Sequence, residues 1–235
     1  MLILALDSTA VVGSVALCRD GKPLAHFTLK NGNTHSETLL PMVKALFDVT
    51  GLTAEDVDLF ACSAGPGSFT GVRIGVATIK GLAFGKNKCV LGVSALEAMA
   101  MAQLPHEGLI VPAMDARRGE VYTAVFRAEG ETLTRLMPDS AMPAAALEEW
   151  LQANAAGETP LAVGDGVAVL TRTFKSLPVQ AAPAAIAEQH AVGVAKAALA
   201  AYEAGARGTD ATLAPIYLRL PQAERERLAA AKQPQ

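Results

Sequence analysis

Residues 2–17 read LILALDSTAVVGSVAL, and residues 109–126 read LIVPAMDARRGEVYTAVF. Each opens on an apolar run too short for an ordinary helix, the pattern of a strand buried on both faces. Each then reaches an aspartate, a short turn, a glycine and a second strand. The aspartate-to-glycine interval is six residues in the first copy, Asp7 to Gly13, and four in the second, Asp115 to Gly119. One copy lies at the start of the chain and the other just before its middle. That placement points to an internal duplication, and so to two related α/β domains.

Working outward from the first copy, residues 13–19 and 23–30 form a second and third strand around the hairpin signal Asp20-Gly21. A helix begins near Thr34, because Thr34 and Glu37 have capping-box spacing. Leu39, Met42, Val43 and Leu46 follow at helical intervals, Pro41 predicts a kink, and Gly51 ends the helix. A strand over 58–63 leads through Gly65-Pro66-Gly67 into a helix over 69–84, then a strand over 89–93 and a helix over 95–103. Near Pro105 the pattern restarts. It predicts strands over 109–114 and 121–126, a turn at Glu129-Gly130 and a helix over 144–154. A short strand over 161–163 and an alanine-rich helix over 184–204 follow. The expected domains are 1–105 and 106–220, with room for the last helix to cross back to the first, and 221–235 reads as a flexible tail.

Composition narrows the function. The chain has 235 residues, 51% of them hydrophobic, which excludes a disordered chain and allows a sizeable core. Charged residues make up 18%, below the roughly 25% of typical soluble domains. Either exposed apolar surface awaits a partner or alanine enrichment dilutes the charge; both remain open at this point. The net charge of −3 leaves no large basic footprint for tight nucleic-acid binding by this chain alone. Cys18, Cys62 and Cys89 are odd in number and widely spaced, which predicts reduced, buried thiols and a cytoplasmic protein. The N-terminus lacks the basic region of a signal peptide, and no apolar stretch is long enough to span a membrane.

The run Ser63-Ala64-Gly65-Pro66-Gly67-Ser68-Phe69-Thr70-Gly71-Val72-Arg73 lies between a strand and a helix, where phosphate loops occur. It matches neither GxxxxGK[ST] nor GxGxxG, so a tight strand-to-helix turn competes with a phosphate site. In the following helix Gly71/Gly75 and Gly81/Gly85 are each four residues apart. Interior glycines cost about 1 kcal/mol each relative to alanine, so close backbone approach must compensate. Packing inside the domain and a helix–helix interface are both open. His26, His35, His106 and His190 fall in no metal-binding spacing, no GxSxG elbow occurs, and His35 reads as a neutral surface or interface residue. Asp7 and Asp115 suggest a nucleotide cleft between the two hairpin turns, with Asp7, Ser8 and Thr9 as contacts. The competing reading has each aspartate capping its turn. Ala116-Arg117-Arg118 lacks the glycine that close phosphate approach wants, so any such site is degraded.

LALDSTAVVGSVAL, NTHSETLLPMV, SAGPGSFTGVRIGVATIKGLA and PIYLR together resemble the bacterial tRNA threonylcarbamoyladenosine biosynthesis family TsaB, also called YeaZ. The resemblance is close over residues 1 to 126 and looser beyond. It implies the ASKHA fold (actin-like, Hsp70-like, RNase H-like) with two related α/β domains. It also implies a part in the threonylcarbamoyl (t6A) modification of adenosine 37 in tRNAs reading ANN codons. In that pathway TsaD is the transferase, TsaC makes the threonylcarbamoyl-adenylate and TsaE is an ATPase. TsaD carries an HxxxH metal motif, whose two ligand positions match Ala95 and Met99 here; neither side chain suits a hard catalytic metal.

The resemblance therefore implies a non-catalytic scaffold that binds TsaD and TsaE and meets tRNA only through them. It implies no intrinsic cofactor, with ATP, ADP and metal entering with the partners; the bulky Ala116-Arg117-Arg118 turn predicts weak or no ATP binding alone, and the low-charge surface a homodimer when TsaD is absent. The association surface is expected on the two N-terminal helices, at Leu39, Val43, Leu46, Phe69, Gly71, Val72, Arg73, Gly75, Val76 and Ile79. A small ASKHA-type metabolite kinase is the alternative, as is a peptidase, a name some members of the family have carried.

Overall fold

The computed structural model describes residues 1–155 and 157–219, so the tail expected over 221–235 lies outside the described residues. The first unit runs β1 (Leu2–Asp7), β2 (Gly13–Arg19), β3 (Lys22–Leu29), α1 (His35–Thr50), β4 (Leu59–Gly65), α2 (Phe69–Ala83), β5 (Cys89–Ser94) and α3 (Ala95–Met101). The second runs β6 (His106–Asp115), β7 (Glu120–Gly130), β8 (Thr132–Pro143), α4 (Ala144–Asn154), β9 (Leu161–Val163), α5 (Val167–Thr173), β10 (Gln180–Ala181), a 3₁₀ turn Ala184–Ile186 and α6 (Ala191–Glu203). The sheet orders are β3-β2-β1-β4-β5 and β8-β7-β6-β9-β10, the same arrangement strand for strand. In both, the first three strands form an antiparallel meander and the remaining pairs are parallel. This is the duplication into two related α/β units that the repeated aspartate hairpins predict, and it agrees with the ASKHA fold that the family resemblance implies.

Each central strand is covered on both faces, which is why it is apolar without alternation. Leu2, Leu4 and Leu6 of β1 pack with Leu46 of α1 and Ile79 of α2. Ile3 and Ala5, on the opposite face, pack against Val194 and Ala198 of α6. In the second unit Val111 and Ala113 meet Leu147 of α4 and Leu170 of α5. Ile110 and Met114 meet Leu96 and Met99 of α3. The third helix of each unit is thus exchanged: α3 covers the second sheet and α6 the first. The two exchanged helices touch closely, since a Cβ on Gly193 would collide with the Ala98 carbonyl oxygen.

Helix α1 begins as its spacing predicts. The Glu37 carboxylate accepts from the Thr34 amide at 3.0 Å and from the Thr34 hydroxyl at 2.8 Å. It continues through Pro41 and ends at Gly51, whose φ of 67° suits a left-handed cap. Three elements are additional to those expected: β8, α5 and β10. β8 is a largely exposed edge strand containing Pro138 and Asp139, and its pairing with β7 holds it in place. The last helix starts at Ala191, seven residues later than its alanine content predicts. Its start is set by contacts: His190 Nδ1 accepts from the Val192 amide at 3.3 Å, and the Ala191 amide donates to Ser14 Oγ at 3.0 Å. Among the described residues no helix is long and apolar enough to cross a membrane.

Candidate functional site

A cleft of about 460 Å³ opens between the units at the C-terminal ends of β1, β4, β6 and β9. Ligands of open α/β sheets bind at such strand ends. The turn after β1 forms one wall and the turn after β6 the other. Asp7 is fully buried. Its Oδ1 accepts from the Thr9 amide at 2.8 Å and the Thr9 hydroxyl at 2.7 Å, and the Ser63 hydroxyl donates to Oδ2. Burial pushes this carboxyl above its ordinary value, against the opposing pull of those donors. Asp115 makes the same turn in the second unit, accepting from the Arg117 amide at 2.7 Å. The two aspartates are equivalent Asx-turn caps.

Of the three residues expected to contact a nucleotide, only Thr9 lines the cleft. Asp7 faces its own turn, and the Ser8 hydroxyl donates to the Gly71 carbonyl at 2.9 Å. Both are drawn inward because the first sheet and α2 close over them. Arg117 and Arg118 adopt φ of 70° and 57°, the left-handed region that bulky residues seldom occupy. The wall therefore presents an arginine turn in place of a bare backbone cradle. Asp165, on the rim after β9, has its carboxyl raised chiefly by partial withdrawal from water, with the Asp115 charge adding to the effect. Phe69, Tyr122 and Tyr217 add aromatic surface and Arg219 a second cation.

The ten residues expected to form an association surface do not stand together on one. Leu39, Val43, Leu46, Val72, Val76 and Ile79 are buried in the first unit's own core. Gly71 and Gly75 are buried too, against Ser8: a Cβ at Gly71 would strike the Ser8 carbonyl oxygen, and one at Gly75 would lie 2.5 Å from Ser8 Oγ. Close approach inside the domain is thus what these glycines permit. Helical periodicity marks the buried face, and that face belongs to the sheet. Phe69 and Arg73 alone of the ten reach the surface. The outward-facing apolar residues of the two helices are instead Leu40 and Val49 of α1, with Phe84 just beyond α2.

Ala95 and Met99 are fully buried in the second core. His35 is half-buried and its Nε2 lies 2.7 Å from the Ala10 carbonyl oxygen. A carbonyl can only accept, so Nε2 carries the proton and ties α1 to the β1–β2 turn. The PIYLR motif, residues 215–219, belongs to the family resemblance and predicts no helix or strand. In the structure Ile216, Tyr217, Leu218 and Arg219 line the cleft. The aromatic and cationic residues of that motif, at the end of a segment without helix or strand, were the signal available.

The family model described as TsaD, tRNA N6-adenosine threonylcarbamoyltransferase, matches residues 29–226. A tRNA threonylcarbamoyladenosine biosynthesis protein TsaB from Bacillus subtilis is 31% identical over 95% of this chain and 96% of its own. The Escherichia coli protein of the same name is 42% identical over 54% of this chain and 55% of its own. YeaZ from Pseudomonas aeruginosa superposes with a TM-score of 0.80 at 29% identity, covering 92% of this chain and 99% of that one. With the duplicated fold, the aspartate turns and a full-length match in hand, this chain belongs to the TsaB family of tRNA threonylcarbamoyladenosine biosynthesis proteins.

Proposed function

We propose that this chain serves t6A modification of adenosine 37 in tRNAs reading ANN codons as a non-catalytic subunit that supports TsaD together with TsaE. Family membership supplies the pathway. The observation that carries the non-catalytic role is Asp7, buried with both oxygens engaged by Thr9 and Ser63. A carboxylate in that state is not offered to a metal or phosphate in the cleft. The same state argues against the metabolite-kinase alternative, which needs a charged carboxylate beside the transferred phosphoryl group. On this reading the chain has no cofactor of its own, ATP, ADP and metal arrive with TsaD and TsaE, and tRNA is met through the complex in the cytoplasm.

Association through α1 and α2 remains part of the proposal, moved to their outward residues. Leu40, Val49 and Phe84 are 53%, 68% and 76% exposed, so each leaves apolar surface in water that a partner could cover. Leu40 and Val49 are nine residues apart and so lie on opposite flanks of α1; the Leu40 flank would pair two copies when TsaD is absent and receive TsaD, a relative of the same fold, when it is present.

The test expresses this chain in a bacterium depleted of its own TsaB and quantifies t6A nucleoside by mass spectrometry. Restored t6A with no nucleotide turnover by the purified chain is the expected result. ATP hydrolysis or phosphoryl transfer to a metabolite by the chain alone would revive the kinase reading. Leu40→Glu, placing a charge on the outward face, is expected to weaken TsaD binding at least about tenfold, the scale of an interface hot spot.

A further inference from the structure

Between α6 and the last described residue the chain has neither helix nor strand, yet it is anchored at successive points. The Val90 amide donates to the Gly208 carbonyl at 3.1 Å, and Leu213 is buried in the first core. The Ile216 amide donates to the Ala64 carbonyl at 2.7 Å. The Ile216 carbonyl oxygen occupies the space a Cβ on Gly65 would need, so strand end and segment touch backbone to backbone. Tyr217 stacks on Phe69 with ring centroids 5.0 Å apart, and its hydroxyl accepts from Arg73 Nε at 2.8 Å. The Arg73 guanidinium in turn covers the Phe69 ring at 3.8 Å. Every one of these contacts is to the first unit.

Arg219 then crosses to the second unit. Its guanidinium meets Glu120 at 2.7 Å, at the start of β7, and lies 5.7 Å from the Tyr122 ring centroid. Its side chain is 15% exposed, so the pair is partly shielded from water. Arg219, Tyr122 and Tyr217 all line the cleft. Among the described residues the strap is therefore held to one lip by several contacts and to the other by the Arg219 ion pair and its ring contact.

We propose that residues 213–219 form a strap across the mouth of the cleft, and that the Arg219–Glu120 pair is its latch, setting how far the two units can part. Release at Arg219 frees the β6–β7 turn while the strap stays on the first unit. The asymmetry follows from the contacts: peeling the strap from the first unit breaks a buried leucine contact, a backbone hydrogen bond and a stacked pair, whereas opening the latch breaks one ion pair with its ring contact.

Hydrogen–deuterium exchange on the full chain tests this. Arg219→Gln and Glu120→Gln should each speed exchange of amides 114–122 by about two- to fivefold, the range a partly exposed ion pair supports. Amides of β1 and β4 should keep their wild-type protection. In the wild type 1 M NaCl should act the same way, by screening the pair. The charge-reversed double variant, Arg219→Glu with Glu120→Arg, should return exchange toward wild type, which loss of packing alone would not do. Wild-type exchange in both single variants overturns the latch, and so does a double variant as fast as the singles.

Discussion

Asp7 is withdrawn from water completely, so its charge is unwelcome in the folded chain. Unfolded, it ionises near its ordinary 3.8; folded, it holds its proton to higher pH because of burial. Between those two values the native state binds more protons. Its contribution to stability is complete below the unfolded pKa and is lost as pH rises through the raised folded one. Asp7→Asn cannot ionise. Urea unfolding from pH 3.5 to 7 should show wild type losing stability relative to the variant as pH rises, and a pH-independent difference would contradict the assignment. The thiols divide by burial in the same way. Burial pushes Cys18 up to about 12 and raises Cys62 as well, with the Asp7 charge adding to the effect at Cys62. Cys89 is half-buried. A thiol-specific disulfide reagent should modify Cys89 in the native protein and all three cysteines after unfolding.

Helix α2 owes its position to two small residues. With a Cβ 2.5 Å from Ser8 Oγ and 3.2 Å from Leu6 Cδ1, Gly75→Ala should destabilise by about 1–3 kcal/mol through overpacking. Gly81 sits on the same helix with nothing within 4 Å of its Cβ position. There alanine should stabilise by up to about 1 kcal/mol, the helix-propensity difference. Chemical denaturation of both variants decides it; equal effects would mean that Gly75 is not held against Ser8. The contrast also shows what was legible in this element. The spacing marks close approach correctly at Gly71 and Gly75 and wrongly at Gly81 and Gly85, which both face open space, the latter beyond the end of the helix. Whether that approach was to the chain's own Ser8 or to another protein depended on where β1 lies, which helix periodicity does not encode.

The exchange of α3 and α6 makes the two units dependent on each other. A fragment of residues 1–105 would lack α6 over Ile3, Ala5 and Leu59, and would expose Leu96 and Met99 of α3. Such surface is too apolar for a stable monomer. The fragment alone should lack a cooperative thermal transition, and mixing it with 106–235 should restore one. A cooperatively folded isolated fragment would show that α6 is dispensable to the first sheet. Sequence comparison found the duplication and left room for the last helix to cross back. The matching crossing of α3 was not legible, because a helix with apolar residues over most of its surface fits either sheet.

The order of strands and helices in the first unit follows from the sequence by itself. Its central strands β1 and β4 are largely apolar runs, its outer strand β3 is marked by the Asp20-Gly21 hairpin signal, and its turns carry glycine, proline or aspartate, so local chemistry suffices. The pairing of Asp7 with Asp115 followed from the repeat. Only tertiary structure decided that Asp7 is a buried cap rather than an open ligand, since burial is set by β4 and α2, distant in the chain. Edge strand β8 depended on its partner too, having little apolar pattern of its own. The strap at 213–219 is the extreme case. Its conformation comes from contacts with Ala64, Phe69, Arg73 and Glu120, about 100 to 150 residues earlier in the chain. A segment held by such distant contacts has no local periodicity by which to be recognised.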